Sequence, residues 1–286
     1  MLEQQILSLQ EAGSHRKRQV ISNVNQGRVI SRLVLLFEPI EDLIGENNRC
    51  RALELSAEDD ADEDEQLIEY TKEEQRTHRG YNLLVKNVSP IETKLVEFDT
   101  HELGVYFREL RKGAAGARGD DAANLKPSII NWIATLVETP APALDPTTKS
   151  DRGFEHDATG RLLCPVDYQW EDTSVRQKIR DGHPDFPVTG DSWPSFLYPH
   201  ARGDENDVEK GLLRSAILIK AYKFIFTSPT SAKDVDCEIG AEDHAAHPHK
   251  RARTHKAPTR GHIANIMRMK AVTPRSIAYV AVQVRG

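Results

Sequence analysis

Apolar side chains in this chain recur at steps of three and four residues and almost nowhere alternate. Val20, Ile21, Val24, Ile30, Leu33, Val34, Phe37, Ile40 and Ile44 follow the period of a helix that buries one stripe, not the two-residue period of a half-wet strand. The spacing predicts a long amphipathic helix over 15–44, kinked or ended by Pro39, which has no amide hydrogen to give. Leu67, Tyr70, Tyr81, Leu84, Val85 and Val88 continue the pattern, and Ser89-Pro90 reads as an N-cap with proline at the first helical position. Asp99-Thr-His-Glu102 has the form of a capping box, Leu103, Phe107 and Leu110 make a stripe, and Gly113 can supply a left-handed stop, so a helix is expected over 100–112. GAAGARGDDAAN then reads as a flexible joint. PSIINWIATLV, from Pro127, starts a buried helix, and LLRSAILIKAYKFIF, Leu212–Phe226, reads as the central core helix.

The fold class expected is therefore mostly α, a helical body in two lobes. The N-terminal lobe spans 15–138 and the C-terminal lobe 154–286, joined by a Pro-rich linker at 139–153. At 286 residues with 38% apolar content, the chain can bury a sizeable core. At 29% charged residues, it is also polar enough that part of it is expected to stay unfolded. Those parts are an acidic insert at 56–66 and a basic insert at 228–260. The stretch 154–200 carries several prolines and Trp170, Phe186, Trp193, Phe196 and Tyr198. It reads as an ordered, irregular belt pinned by aromatic anchors, because rings bury much area at small entropy cost.

Several function classes find no support. The N-terminus lacks the apolar run of a secretory signal, and no stretch approaches 18 uninterrupted apolar residues, so a soluble, intracellular protein with no membrane partner is expected. Cys50, Cys164 and Cys237 are odd in number and in no CxxC pair, which suits reduced thiols. No Walker loop, GxGxxG, GxSxG or HExxH occurs, and no cofactor is expected.

Charge is sharply segregated beneath a net −6. Glu58 to Glu69 holds eight carboxylates and no base, whereas Lys250 to Gly286 holds nine Lys/Arg and no acid. HKRARTHKAPTR, with Lys250, Arg251, Arg253, Lys256 and Arg260, has the form of a nuclear-import signal or a phosphate-contacting arm, since clustered cations release counterions from a polyanion. Residues 261–285 have the outline of a helix-turn-helix, but the second helix offers few side chains to read base edges, so core packing is the better account.

The chemistry-bearing residues concentrate in GFEHDATGRLLCPVDYQWED, residues 153–172. One reading takes His183-Pro-Asp185 as the H-x-D of a two-His-one-carboxylate iron centre, with His200, His244 or His262 as the distal ligand and Arg268 for a 2-oxo acid. No strand pattern supplies its usual scaffold. Another pairs a nucleophilic Cys164 with His156 or His183 and a carboxylate such as Asp157. The ordinary reading is that Asp157, Thr159 and Gly160 make a turn, Arg161 pairs with a carboxylate, and Cys164 packs. Cys237, His244, His247 and His249 have ligand types in a low-complexity setting, so no dedicated metal site is expected.

The segments HDATGRLLCPVDYQWEDTSVRQKIRDGHPDF, SWPSFLY, KAYKFIFTSPTSA and VTPRSIAYVAVQVR resemble those of an uncharacterised family of predicted proteins from mushroom-forming (basidiomycete) fungi. The likeness runs from about residue 28 to the end. The resemblance implies no activity and no catalytic residue, and it implies further sequence beyond AVQVR. The reading that results is a non-catalytic interaction protein, nuclear and nucleic-acid-associated through its basic segment, with an unidentified protein partner. The alternative is an enzyme of unrecognised type centred on residues 156–185.

Overall fold

The computed structural model describes residues 22–59, 70–88, 90–136, 142–148, 151–204, 206–233 and 262–286. The protein is mostly helical, and among these residues β-structure is limited to one isolated bridge between Pro165 and Pro194. The chain divides into two compact units, Met1–Gly116 and Ala117–Gly286. The sequence reading draws its border later, at the Pro-rich span.

In the first unit, α1 (Asn23–Leu33) starts where the Ser22 hydroxyl accepts from the Asn25 amide at 3.3 Å. The single helix expected over 15–44 is corrected: α1 stops at Leu33, and α2 (Ile40–Asp59) begins after Pro39. Proline disfavours helical backbone in the residue before it, so the break falls ahead of it, and Phe37 there is 69% exposed. Residues 15–21 lie outside the described residues. α2 extends to Asp59, which makes the start of the expected acidic insert helical, while residues 60–66 and Leu67 lie outside the described residues.

A capping box absent from the sequence reading opens α3 (Lys72–Asn87). Glu74 accepts from the Thr71 amide at 2.7 Å and its own amide donates to the Thr71 hydroxyl at 3.2 Å. α4 (Ile91–Glu97) has Pro90 as its N-cap residue rather than as its first helical residue, and Ser89 lies outside the described residues. The box at the start of α5 (Thr100–Leu136) forms as expected. The Asp99 amide donates to Glu102 at 3.0 Å and the Glu102 amide to Asp99 at 2.8 Å.

The stop at Gly113 and the flexible joint after it do not occur, because α5 runs unbroken for 37 residues with Pro127 inside it. Gly113 serves packing instead. A methyl group built there would overlap the Val24 carbonyl, and one built at Gly27 would overlap the Leu110 carbonyl. The backbones of α1 and α5 touch through two glycines, and no side chain fits between them. Around this contact Ile30, Val34, Leu84, Val88, Ile91 and Leu110 are buried. Tyr106 joins them at 1% exposure, edge-on to Phe98 at 6.1 Å, and burial pushes its hydroxyl up to about 12. The Lys94 ammonium lies 4.1 Å from the centre of the Tyr106 ring.

The second unit contains the later part of α5, α6 (Asp157–Leu163), α7 (Thr173–Arg180), α8 (Ala216–Phe226), the single turn α9 (Ile263–Ile266) and α10 (Pro274–Arg285). The core helix expected over 212–226 starts later, at Ala216, because the Ser215 hydroxyl caps it by accepting from the Leu218 amide at 3.1 Å. α10 opens with a Thr273/Ser276 capping box and Pro274 at the first position. Polar contacts lock these helices together. The Tyr279 hydroxyl donates to Asp121 on α5 at 2.6 Å, Tyr222 and Ser276 share a 3.0 Å bond, and Trp132 meets Phe224 edge-on at 5.9 Å. Tyr279 and Val280 have no exposed surface, so the last segment is a core element. No described helix is long and apolar enough to cross a membrane.

The glycine contact yields a measurable contrast. Gly113→Ala should destabilise the protein by about 3 kcal/mol, since backbone must move to admit the methyl group. Gly119→Ala, where a new Cβ meets nothing within 4 Å, should stabilise by ~0.5–1 kcal/mol through helix propensity. Urea unfolding of the two variants checks both signs.

Candidate functional site

The belt begins at residue 153 with a single 3-10 turn and then forms α6, so the turn expected from Asp157, Thr159 and Gly160 is instead the first half of a helix. Its cap is His156. The ring Nδ1 accepts from the Ala158 amide at 3.1 Å and Nε2 lies 2.8 Å from the Pro142 carbonyl. Those partners assign the proton to Nε2, and both nitrogens of a ring only 4% exposed are thereby engaged. Asp157 faces the other way and pairs with Arg180 at 2.7 Å and Arg176 at 3.5 Å. This ties the start of α6 to α7.

Gly160 explains why α6 and the following loop hold together. The Trp170 indole lies so close that a methyl group at residue 160 would overlap it. Trp170 is 5% exposed, stacks obliquely with Phe154 at 5.9 Å, and carries the Arg180 guanidinium 5.6 Å from its ring centre. Arg180 Nε donates to the Phe154 carbonyl at 2.7 Å, so one arginine braces ring, backbone and carboxylate at once. Arg161 pairs with Glu171 at 3.1 Å.

Cys164 is 1% exposed, with Sγ 3.4 Å from the Pro165 carbonyl and 3.7 Å from the Tyr168 carbonyl. Burial first, and Glu171 second, push its thiol up to about 12. A nucleophilic cysteine needs the opposite shift. The Cys164 carbonyl receives both the Ser195 amide at 2.9 Å and its hydroxyl at 2.7 Å, and the Val166 amide donates to the Trp193 carbonyl at 2.9 Å. These bonds close the belt on itself. Cys50, in the first unit, is likewise a buried free thiol.

His183 and Asp185 lie on the outer turn after α7. The Asp185 amide donates to His183 Nδ1 at 3.2 Å, and the two side chains are 3.6 Å apart and well exposed. Of the distal ligands considered, His200 is exposed at φ 55°, His262 Nδ1 lies 3.0 Å from the Thr227 carbonyl, and His244 is outside the described residues. Among the described residues, no three His, Cys, Asp or Glu side chains are grouped to hold a metal ion. Cys237, His247, His249 and the basic positions Lys250, Arg251, Arg253, Lys256 and Arg260 lie outside the described residues.

The aromatic anchors divide. Phe196 and Tyr198 are buried, Phe186 meets Tyr168 at 5.2 Å, and the Tyr198 hydroxyl donates to the Val208 carbonyl at 2.8 Å. Trp193 does not anchor: it is 44% exposed, because its backbone, not its ring, is what the belt uses.

A concavity adjoins the belt. A cavity of about 280 Å³ opens between α5, α6, α8 and α10. Its walls are apolar, with Ile129, Ile133, Leu162, Leu163, Phe196 and Ile217, and the cationic side chains lining it are Lys126, Arg152 and Arg285. Among the described residues, no Asp or Glu side chain lines it. None of its three cations was singled out by sequence reasoning. The available signal was a lysine before Pro127 followed by isoleucines at 129, 130 and 133, a face that is apolar but carries a charge one turn earlier.

A family described as "Family of unknown function (DUF6698)" matches residues 112–286, more than half of the chain, and the protein belongs to that family. No curated protein and no solved structure matches the chain.

The belt makes two tests possible. Trp170→Ala should cost about 3–5 kcal/mol by emptying a buried site, whereas Trp193→Ala should cost under about 1 kcal/mol; thermal melts of both decide it. In a Cys237→Ser background at pH 8, Cys164 should resist iodoacetamide until urea unfolds the chain. Because its folded pKa is raised, the unfolded thiol ionises first, and this group's contribution to stability declines as pH rises between about 9 and about 12.

Proposed function

We propose that this member of the family of unknown function is a non-catalytic interaction protein that works in the nucleus, with the basic segment at Lys250, Arg251, Arg253, Lys256 and Arg260 serving import and contact with nucleic-acid phosphates. The observation that carries the non-catalytic part is the use already made of the belt's reactive groups. Both His156 nitrogens face backbone partners, Asp157 is held between two arginines, and the Cys164 thiol is kept protonated by burial. A general base needs a free lone pair and a nucleophile needs a lowered pKa. The nuclear part rests on the nine Lys/Arg and no acid from Lys250 onward, a density that favours approach to a polyanion. The fungal range of the family and a protein partner belong to the same reading.

A fluorescent fusion large enough to be excluded from passive diffusion tests it. Replacing Lys250, Arg251, Arg253 and Lys256 together by Gln should lower the nuclear-to-cytoplasmic ratio several-fold and leave the melting temperature unchanged. Equal ratios in variant and parent would sink the import reading.

A further inference from the structure

We propose that the cavity between α5, α6, α8 and α10 binds an aliphatic monocarboxylate of medium chain length, its tail against the isoleucine and leucine walls and its head at the cationic side chains. This goes beyond the interaction role and does not depend on the basic segment.

Three features specify the ligand. The first is room. A volume of about 280 Å³ lies at the small end of the roughly 300–1,000 Å³ of ordinary ligand pockets, which suits a single medium-length alkyl chain. The second is the character of the walls. Aliphatic and aromatic side chains from four helices and from the belt face this space, and such a surface gains by excluding water but offers nothing to a sugar or a nucleotide. The third is sign. Lys126, Arg152 and Arg285 line the cavity beside Gly286, and among the described residues no Asp or Glu side chain does. The Arg152 Nη2 donates to the Asp145 and Pro146 carbonyls at 3.0 and 2.8 Å, yet its Nε is buried with no hydrogen-bond partner. A buried donor on a guanidinium calls for an acceptor, and a charged one serves best. Lys126 makes no hydrogen bond or ion pair with the described residues, so its ammonium is available to an incoming anion.

Arg161, also on α6, separates this cavity from an ordinary ion-pair surface. It is neutralised by Glu171 at 3.1 Å, as Arg176 and Arg180 on α7 are by Asp157. The three arginines Arg161, Arg176 and Arg180 are matched with carboxylates, whereas among the described residues the cations that line the cavity are not.

The experiment is calorimetric titration of the full chain with decanoate, decanol and butyrate. Decanoate should bind at one site with a Kd on the order of 10–100 µM. Decanol, which keeps the tail but not the charge, should bind about tenfold more weakly, and butyrate should not bind detectably. Lys126→Glu should weaken decanoate about tenfold and leave decanol unchanged. Leu162→Trp, which fills the cavity, should abolish binding of both, and melting temperatures would verify that each variant folds. Should Leu162→Trp fail to fold, Lys126→Glu alone decides. Absence of decanoate binding at millimolar concentration, or equal affinity for decanoate and decanol, or an unchanged decanoate affinity in Lys126→Glu, would overturn the proposal. None of these outcomes bears on the nuclear-import assay, so the two readings fail separately.

Discussion

The close approach of α1 and α5 through Gly27 and Gly113 sets the geometry of the first unit. Where two helices touch at backbone, their relative position is fixed by hard overlap rather than by adaptable side chains. The neighbouring apolar residues then fill what space remains: Ile30 from one helix and Val34 just past its end, Tyr106 and Leu110 from the other. A larger residue at either glycine would wedge the helices apart and loosen every contact in that layer. The contact also explains why α5 continues through Gly113. Glycine inside a helix costs helix propensity, but here the lost propensity is offset by packing that only glycine permits.

The second unit repeats the device with a different partner. Gly160 gives α6 a flat face on which the Trp170 ring rests, and Arg180 then clamps ring, backbone and Asp157 together. A helix of seven residues has too few internal hydrogen bonds to persist alone. It exists because His156 caps one end, Trp170 covers one side and the cavity walls need Leu162 and Leu163 on the other. The residues that looked most reactive in the sequence are the ones that a short helix in an irregular belt requires for its own construction.

Legibility follows the same physics. Stripes of apolar residues and side-chain caps are local, and they could be read: the Asp99–Glu102 box, and the Arg161 and Cys164 contacts. What could not be read depended on distant partners. Gly113 is an equally good stop signal or packing surface until Val24 is known to lie against it. Asp157 to Gly160 looks like a turn until Trp170 covers it. Trp193 and Trp170 have similar surroundings in sequence, yet one ring is exposed and the other buried, because register in the Pro165–Pro194 bridge decides which side chains point inward. The cavity was invisible for the same reason, since its walls come from four helices and the belt.

Not every cation at that cavity carries equal weight as a sign of function. Arg285 sits in the last turn of α10, where a positive charge complements the helix dipole, and it donates to the Thr189 carbonyl at 3.1 Å. Arg152 braces two carbonyls of the preceding loop. Both have structural work that would retain them in a protein with no ligand at all. Lys126 has none among the described residues: it lies in the interior of α5, far from either end of the helix and its dipole charge, half-buried beside isoleucines and with no carboxylate partner there. An anion that reaches this ammonium meets no competing carboxylate side chain among the described residues that line the cavity. An aliphatic carboxylate would supply that charge and cover the exposed apolar wall in the same step, which is why the cavity's chemistry is read from Lys126 first and from the two arginines second.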